Sequence, residues 1–448
     1  MIDRKIFKAY DIRGLYPGDW CAEDAYKIVR AYITIAKCKN IVISHDMRTS
    51  GEEIADALIR GALDQGCDVY NVGLSSTPMY YFAVKELGAD GGCQVTASHN
   101  PAGYNGMKIT MKGAVPAVGI IDNDFLWETA DKELFAPVSE KGRILDIDFD
   151  VVDRYCDAVI EAGNINEIPL KIAIDCGNGM SGYILPALFE KLGNKPIRLF
   201  WRIDGTFPNH EANPLKEETL LRLRETVVEN ECDLGIAYDG DSDRVGFVDE
   251  KGEVIPGDFI TAIIGRALLA ENPGKTIMYD LRSSWVVKEE VEKAGGVAKM
   301  CRVGHAPIKQ QMRAEDGFFA GELSSHFYFS QFFVTDNGDL AMFNVIKEML
   351  KTGKKISEIV APLKRYYKIS ETNSKVEDAA LVLKKVEEIY GPLAKETYHL
   401  DGFSAEFEDW WLNVRMSNTE PLVRLNLEAK TKERMEEKRD EVLAVIRG

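Results

Sequence analysis

IVISHDMRTSGEEIADALIRGALDQGCDVYNVG, residues 41–73, decides the fold. Ile41 to Ser44 form a short apolar run that ends in a polar loop carrying Asp46. Residues 51–66 then place their apolar side chains at helix spacing, and 68–73 return to a strand-like pattern. Strand, helix, strand is the βαβ signature of an α/β sheet. The same order recurs from KIAIDCGNGMSG (171–182) to PIRLFW (196–201), and again from TIMYDLRSS (276–284) through SWVVKEEVEKAGG to GVAKMCRVG (296–304). A third segment follows each copy: DGGCQVTASHNP (90–101), CDLGIAYDGDSDR (232–244) and DGFFAGELSSH (316–326). Three copies of low identity predict three related α/β domains rather than a solenoid.

Ligands of open α/β sheets gather at the carboxyl ends of strands. TASH, DGDSDR and GELSSH all leave corresponding strand ends, so the three domains are expected to offer one loop each to a shared cleft. From about residue 366 the pattern changes: a polar stretch, ISETNSKVED, precedes an amphipathic helix at 379–390. Strand-like segments around a DG turn, LVRLNLEA and a charged last helix complete a fourth domain of α+β type. The expected division is 1–150, 151–252, 253–365 and 366–448.

The chain has 448 residues, 45% of them hydrophobic, too many for one core at roughly 100–200 residues per domain. A formal net charge of −17 argues against nucleic acid or an anionic membrane as partner, since both require an excess of Lys and Arg. The start, MIDRKIFKAYDIRG, has no apolar run like a signal peptide, and no stretch has the apolar length of a membrane span. A cytoplasmic location is expected. The eight cysteines show no C-x-x-C pairing, which speaks against a disulfide framework or a zinc site.

In YDGDSDRVGFVDE, Asp239, Asp241 and Asp243 alternate, so three carboxylates can face one point. Like charges so close call for a neutralising cation or raised pKa values. A hard divalent ion that keeps open positions for phosphate oxygens, as Mg²⁺ does, is the natural partner. Glu250 stands twelfth, as in an EF-hand, but Arg244 occupies the place of the required glycine and the flanks look like strands. In VRMSNTEPLVR, Arg415 and Arg424 bracket Ser417, Asn418 and Thr419, a composition that suits a phosphate cradle and equally an ordinary polar surface loop. In GELSSH, Glu322, Ser324 and His326 share one face if extended, which suits a hydroxyl-rich ligand or the wet face of any strand.

Ser98 beside His99 invites comparison with a hydrolase nucleophile and its base. Adjacent side chains in an extended or turning segment point apart, so His99 is expected to be a poor base, and no G-x-S-x-G elbow surrounds Ser98. A metal loop and a candidate phosphate cradle elsewhere favour phosphoryl chemistry at Ser98 over acyl transfer.

TASHNP, DGDSDR, GELSSH and RMSNTEP, in this order, resemble the α-D-phosphohexomutase superfamily, most closely its bacterial phosphomannomutase/phosphoglucomutase branch. The resemblance covers the whole chain and includes FKAYDIRG, NGMKI, FPNHEANP and VGHAPIK. It implies three α/β domains and a C-terminal α+β domain in a heart-shaped molecule with a central cleft. It further implies that Ser98 is carried as phosphoserine and that Asp239, Asp241 and Asp243 hold Mg²⁺ together with a phosphoserine oxygen. The implied reaction interconverts hexose 1-phosphate and hexose 6-phosphate through a bound 1,6-bisphosphate, with glucose or mannose 1,6-bisphosphate as activator.

By the same resemblance Glu322 and Ser324 contact sugar hydroxyls, and Arg415, Ser417, Asn418, Thr419 and Arg424 bind the phosphate that is not transferred. Lys108, His305 and His326 match positions near the reacting phosphate, with Lys108 first and His305 second as general acid/base. Tyr10, Arg13, Arg244 and Arg282 match cleft-lining positions, Arg244 among the catalytic set, although relatives often carry lysine at the place of Arg282. Ser325 stands where glycine or alanine is frequent. NTEP in place of GTEP favours a mannose or glucose mutase over a phosphoglucosamine mutase. A metal-dependent phosphatase and a non-catalytic sugar-phosphate sensor are the rivals of other classes. The expected assembly is a monomer or weak homodimer.

Overall fold

The computed structural model describes residues 1–416 and 422–448. Four sheets organise the described residues. In the first, Asn40–His45 pairs in parallel with Asp68–Leu74 and Gly91–Val95, and Gly91–Val95 pairs antiparallel with Tyr104–Met111. The second repeats this order: Ile172–Asp175 lies between Ile197–Leu199 and Leu234–Tyr238, which is followed antiparallel by Val245–Val248. The third does so again, with Thr276–Asp280 between Val297–Cys301 and Gly317–Gly321, then Phe327–Phe329 antiparallel. The expected α/β repeat is therefore present as one four-strand arrangement used three times.

The cause is legible strand by strand. Central parallel strands are covered on both faces and read as unbroken apolar runs. Leu234–Tyr238 and Gly91–Val95 are buried at every position. Helices cover the faces. The predicted helix over 51–66 spans Gly51–Asp64, and the one over 284–296 spans Trp285–Lys293, where the Ser284 side chain accepts from Val286 N. One apolar cluster runs from Tyr155 to Leu363 beneath the second and third sheets and takes in Met79 and Phe82 of the first unit. The C-terminal segment has its own core, built on Trp410–Met416, Leu422–Ala429 and the helix Lys432–Arg447.

Two elements differ from the sequence reading. Thr372–Lys375, inside the polar stretch, is a strand paired antiparallel to Leu422–Ala429. Only Ser374 is buried there, so an edge strand with one packed position carries no hydrophobic pattern. Ile12–Leu15, which begins inside FKAYDIRG and ends one residue beyond it, adds a further strand to the first sheet beside Tyr104–Met111. Among the described residues no helix is long and apolar enough to cross a membrane.

Asp339 ties the second and third units together. At the start of the helix Gly338–Thr352, it accepts the hydroxyls of Tyr155 at 2.8 Å and Tyr238 at 2.9 Å. Burial raises its pKa to about 6 despite those two bonds. The folded state thus binds more protons than the unfolded chain between the ordinary carboxyl value and about 6, and this residue favours folding increasingly as pH falls through that window. In Asp339→Asn that contribution is absent. Urea unfolding followed by tryptophan fluorescence should therefore shift in favour of wild type over Asp339→Asn by about 1 kcal/mol between pH 7 and pH 5.

Candidate active site

The loops that leave the third strand of each α/β unit meet. Ser98, after Gly91–Val95, is 1% exposed, and its Oγ donates to Asp239 Oδ2 at 2.8 Å. Its backbone is left-handed, with φ at 48°, a conformation that costs a non-glycine residue about 1 kcal/mol. That curl corrects one expectation from sequence: His99 does not point away, because the turn brings its Nδ1 to 3.2 Å from Ser98 Oγ. Burial, with Arg244 and Arg13 nearby, holds the His99 pKa well below the ordinary histidine value, so the ring is neutral. The metal-type loop lies directly beneath; a Cβ on Gly240 would stand 2.5 Å from Ser98 O, an approach only glycine permits.

Asp239, Asp241 and Asp243 are all buried, with one carboxylate oxygen from each lying within 4.8 Å of the others. The loop is a tight connection between strands, with Ser242 at φ 67°, and not an EF-hand. Burial and repulsion from its two neighbours raise the Asp239 pKa well above the carboxylate range. Burial would raise Asp243 also, but Lys108 and His326 hold it well below that range. Asp241 Oδ2 accepts from Thr77 Oγ1 at 2.6 Å and Lys108 Nζ at 2.7 Å, and Lys108 also pairs closely with Asp243. Asp241 Oδ1 and Asp243 Oδ1 are buried and accept no hydrogen bond. Hard carboxylate oxygens, two of them unsatisfied, fit a divalent cation such as Mg²⁺.

Lys108 sits opposite Gln94 in the first sheet, which aims it at the metal-type loop of the second unit. Burial would lower its pKa, but Asp241 and Asp243 outweigh burial and raise it, so it stays charged. His305 opens the helix His305–Ala314; both of its ring nitrogens are buried without partners, and its ring meets Tyr10 edge-on at 5.9 Å. Burial, then Lys309 and Lys108, hold its pKa well below the ordinary value. Tyr10 donates to Val303 O at 3.1 Å and packs where a Cβ on Gly304 would stand 2.7 Å from its ring. Arg13 pairs with Asp11 and donates to Asn100 Oδ1 at 2.8 Å, beside the Ser98 loop.

Glu322, Ser324 and His326 come together through a turn and not through an extended strand. Ser325 adopts φ 66° and its N–H bonds Glu322 O at 2.9 Å, which accounts for the small residue expected at that position. His326 Nδ1 lies 3.0 Å from Glu322 Oε2 and 3.1 Å from Ser324 Oγ, and Nε2 lies 3.4 Å from Asp243 Oδ1. Burial and Arg244 pull the His326 pKa down, yet Asp243 and Glu322 prevail and raise it to about 9. Arg244 Nε donates to His326 Nε2 at 3.1 Å and itself lies 3.8 Å from Asp239 Oδ2. Backbone bonding between Val245 N and Ser325 O joins the second and third loops.

Arg282 is committed to carboxylates: it forms two side-chain bonds to Asp280, and its guanidinium reaches Glu322 Oε1 at 3.3 Å and Glu371 Oε2 at 3.8 Å. Arg415 and Arg424 face one another in register across two strands. Glu371 lies between these like charges, at 3.1 Å from Arg415 and 3.5 Å from Arg424. Ser417, Asn418 and Thr419 lie outside the described residues. Sequence reading missed Thr77, Asp280, Glu371 and the buried pair Lys309 and Asp336, whose Nζ and Oδ1 are 2.8 Å apart. Asp280 had a visible signal as the acid that ends the third copy's first strand, and Lys309 as the last residue of VGHAPIK; the others had none.

Four segments match models of one family, described as phosphoglucomutase/phosphomannomutase: residues 4–124, 153–252 and 256–366 match its alpha/beta/alpha domains I, II and III, and 371–445 its C-terminal domain. A phosphomannomutase of Escherichia coli (strain K12) is 39% identical over 431 residues, covering 95% of this chain and 94% of that protein. A phosphomannomutase of Methanocaldococcus jannaschii is 36% identical over 447 residues, covering 99% and 98%. The crystal structure of a phosphoglucomutase/phosphomannomutase family protein from Burkholderia thailandensis superposes with a TM-score of 0.90 at 29% identity, covering 100% of this chain and 98% of that one.

Proposed function

Since this chain belongs to the phosphoglucomutase/phosphomannomutase family and is a phosphotransferase that acts as a hexose phosphate mutase, we propose that it isomerises mannose or glucose phosphates through a phosphorylated Ser98. The observation that carries this reading is the 2.8 Å bond between Ser98 Oγ and Asp239, inside a buried cluster of three aspartates and Lys108. The alternating carboxylates around that hydroxyl suit a metal-assisted phosphate site rather than an acyl-transfer site, which would need a base and an oxyanion hole.

In the proposed cycle phosphoserine 98 gives its phosphoryl group to the free hydroxyl of a hexose phosphate. The Ser98 Oγ–P bond breaks, a sugar O–P bond forms, and the proton of that hydroxyl ends on Ser98 Oγ. The resulting 1,6-bisphosphate turns over in the cleft, and the reverse transfer returns its other phosphate to Ser98. Asp239, Asp241 and Asp243 would hold Mg²⁺, which neutralises charge on the transferring phosphate when bound. Lys108 lies against the same carboxylates and is proposed to exchange the proton, with His305 second and Arg244 balancing phosphate charge.

Glu322 and Ser324, on their turn, are proposed to take the sugar hydroxyls, flanked by His326, with Tyr10, Arg13 and Arg282 lining the cleft. Arg415, Arg424 and the loop between them are assigned the distal phosphate. The division of the chain near residues 150, 252 and 365 gives each of these loops its own domain.

The test is turnover of mannose 1-phosphate and glucose 1-phosphate with Mg²⁺ and a trace of glucose 1,6-bisphosphate, with free phosphate monitored. Formation of the 6-phosphates without phosphate release is expected, and the ratio of the two rates gives the preferred sugar. Phosphate release alone would instead mark a phosphatase, and turnover confined to glucosamine 1-phosphate would move the substrate to the amino sugar.

A further inference from the structure

The stretch IVISHDMRTS holds a charged residue that the proposed mechanism leaves unused. Arg48 has a side chain at 0% exposure, next to the serine loop. One terminal nitrogen of its guanidinium donates to Pro101 O at 2.9 Å and Tyr104 O at 2.8 Å. The other donates to Ser98 O at 2.8 Å and Asn100 O at 2.6 Å. Four carbonyls of a single loop thus converge on one buried cation. Its Nε lies 3.4 Å from Asp46 Oδ2, and Asp46 accepts in turn from Thr96 Oγ1 at 2.7 Å. Thr96 Oγ1 also accepts from Ser98 N at 2.9 Å. Both sides of the Ser98 peptide unit are therefore tied into one network.

The second unit closes on the same arginine. The Phe207 ring centroid is 5.2 Å from its guanidinium carbon, and a Cβ on Gly205 would stand 2.5 Å from Met47 O and 2.6 Å from Arg48 Cα. The Ser98 carbonyl that Arg48 holds is also the one against which Gly240 of the aspartate loop packs. Arg48 consequently fixes the serine loop in itself and against the aspartates. Left-handed backbone at a non-glycine residue persists only where its surroundings over-determine it, and these contacts do so at Ser98.

We propose that Arg48 is a positioning residue for phosphoryl transfer: by clamping the carbonyls of residues 98–104 it aims Ser98 Oγ at the phosphorus and the three aspartates, without touching the substrate. The inference rests on the reading of Ser98 as the phosphorylated nucleophile. Lysine could keep the charge but lacks the planar fork that reaches four acceptors.

The test follows loading of Ser98. Dephosphorylated enzyme is mixed with glucose 1,6-bisphosphate and Mg²⁺, and phosphate uptake is timed by intact mass. In that step Ser98 Oγ bonds to phosphorus, the bond from phosphorus to the sugar oxygen breaks, and the serine proton ends on the released sugar hydroxyl. Arg48→Lys, with its circular dichroism and thermal transition checked, should load and turn over about 100-fold more slowly. Its KM for glucose 1-phosphate should stay within about twofold, because the groups assigned to sugar and distal phosphate are untouched. Arg48→Ala should regain part of its rate in millimolar guanidinium chloride. Thr96→Val, a smaller change in the same network, should slow loading in the same sense and covers the case in which Arg48→Ala does not fold.

Loading and turnover of Arg48→Lys within about threefold of wild type, or a loss residing wholly in KM, would overturn the inference while leaving Ser98 as nucleophile. Wild-type enzyme that takes up no phosphate at Ser98 overturns the nucleophile reading, and the role of Arg48 falls with it.

Discussion

Ser98→Ala should leave a folded protein whose mutase activity is lower by about 10³-fold or more, the scale on which loss of a covalent nucleophile is felt. The substitution removes only Oγ, and the bonds that hold the loop pass through the Ser98 amide and carbonyl, which remain. Alanine at φ 48° carries the same backbone strain as serine, so stability should change little. Ser98→Gly separates chemistry from strain: it should be as inactive as Ser98→Ala and about 1 kcal/mol more stable than it. Turnover of glucose 1-phosphate, intact mass after exposure to glucose 1,6-bisphosphate, and thermal midpoints read the three quantities. Wild-type-like turnover in either variant would refute the phosphoserine cycle.

Asp241→Asn should lower activity by about 100-fold and raise the Mg²⁺ concentration for half-maximal rate by about tenfold or more. Asp241 has one oxygen shared by Thr77 and Lys108 and the other buried without a partner. An amide keeps the shape but removes one of the three carboxylates, and its nitrogen cannot accept from Thr77 or Lys108. Relief of repulsion from Asp239 and Asp243 opposes the loss of the Lys108 pair, so stability in EDTA should change less than activity does. Titrating rate and thermal midpoint with Mg²⁺ in wild type and variant measures both effects. An unchanged titration would remove the cation from these aspartates.

Much of this arrangement is legible in the chain itself. Buried parallel strands show as apolar runs, and each run here ends at the loop that faces the cleft, so 41–101, 171–244 and 276–326 announce three α/β units before any contact is known. Ser98 and the alternating aspartates stand out because chemistry requires those residue types at that spacing. Thr372–Lys375 did not read as a strand because an edge with one buried position has no alternation to detect. Glu371 is hidden for a related reason: a polar residue in a polar stretch acquires meaning only when three arginines from separate segments reach its carboxylate. His99 was misjudged because one left-handed residue, Ser98, reverses the direction expected of neighbouring side chains.

The sequence by itself determined the repeated α/β units, the order of the loops, and the serine, aspartate and arginine residues that meet there, since local periodicity and residue chemistry are written along the chain. Tertiary structure alone decided which charges neutralise one another. Lys108 is joined to Asp241 and Asp243, Arg48 to the carbonyls around Ser98, and Glu371 to Arg282, Arg415 and Arg424. Each of these contacts spans tens to hundreds of residues. Their strength comes from burial, which removes the water that would otherwise screen them and which no local run of sequence can report.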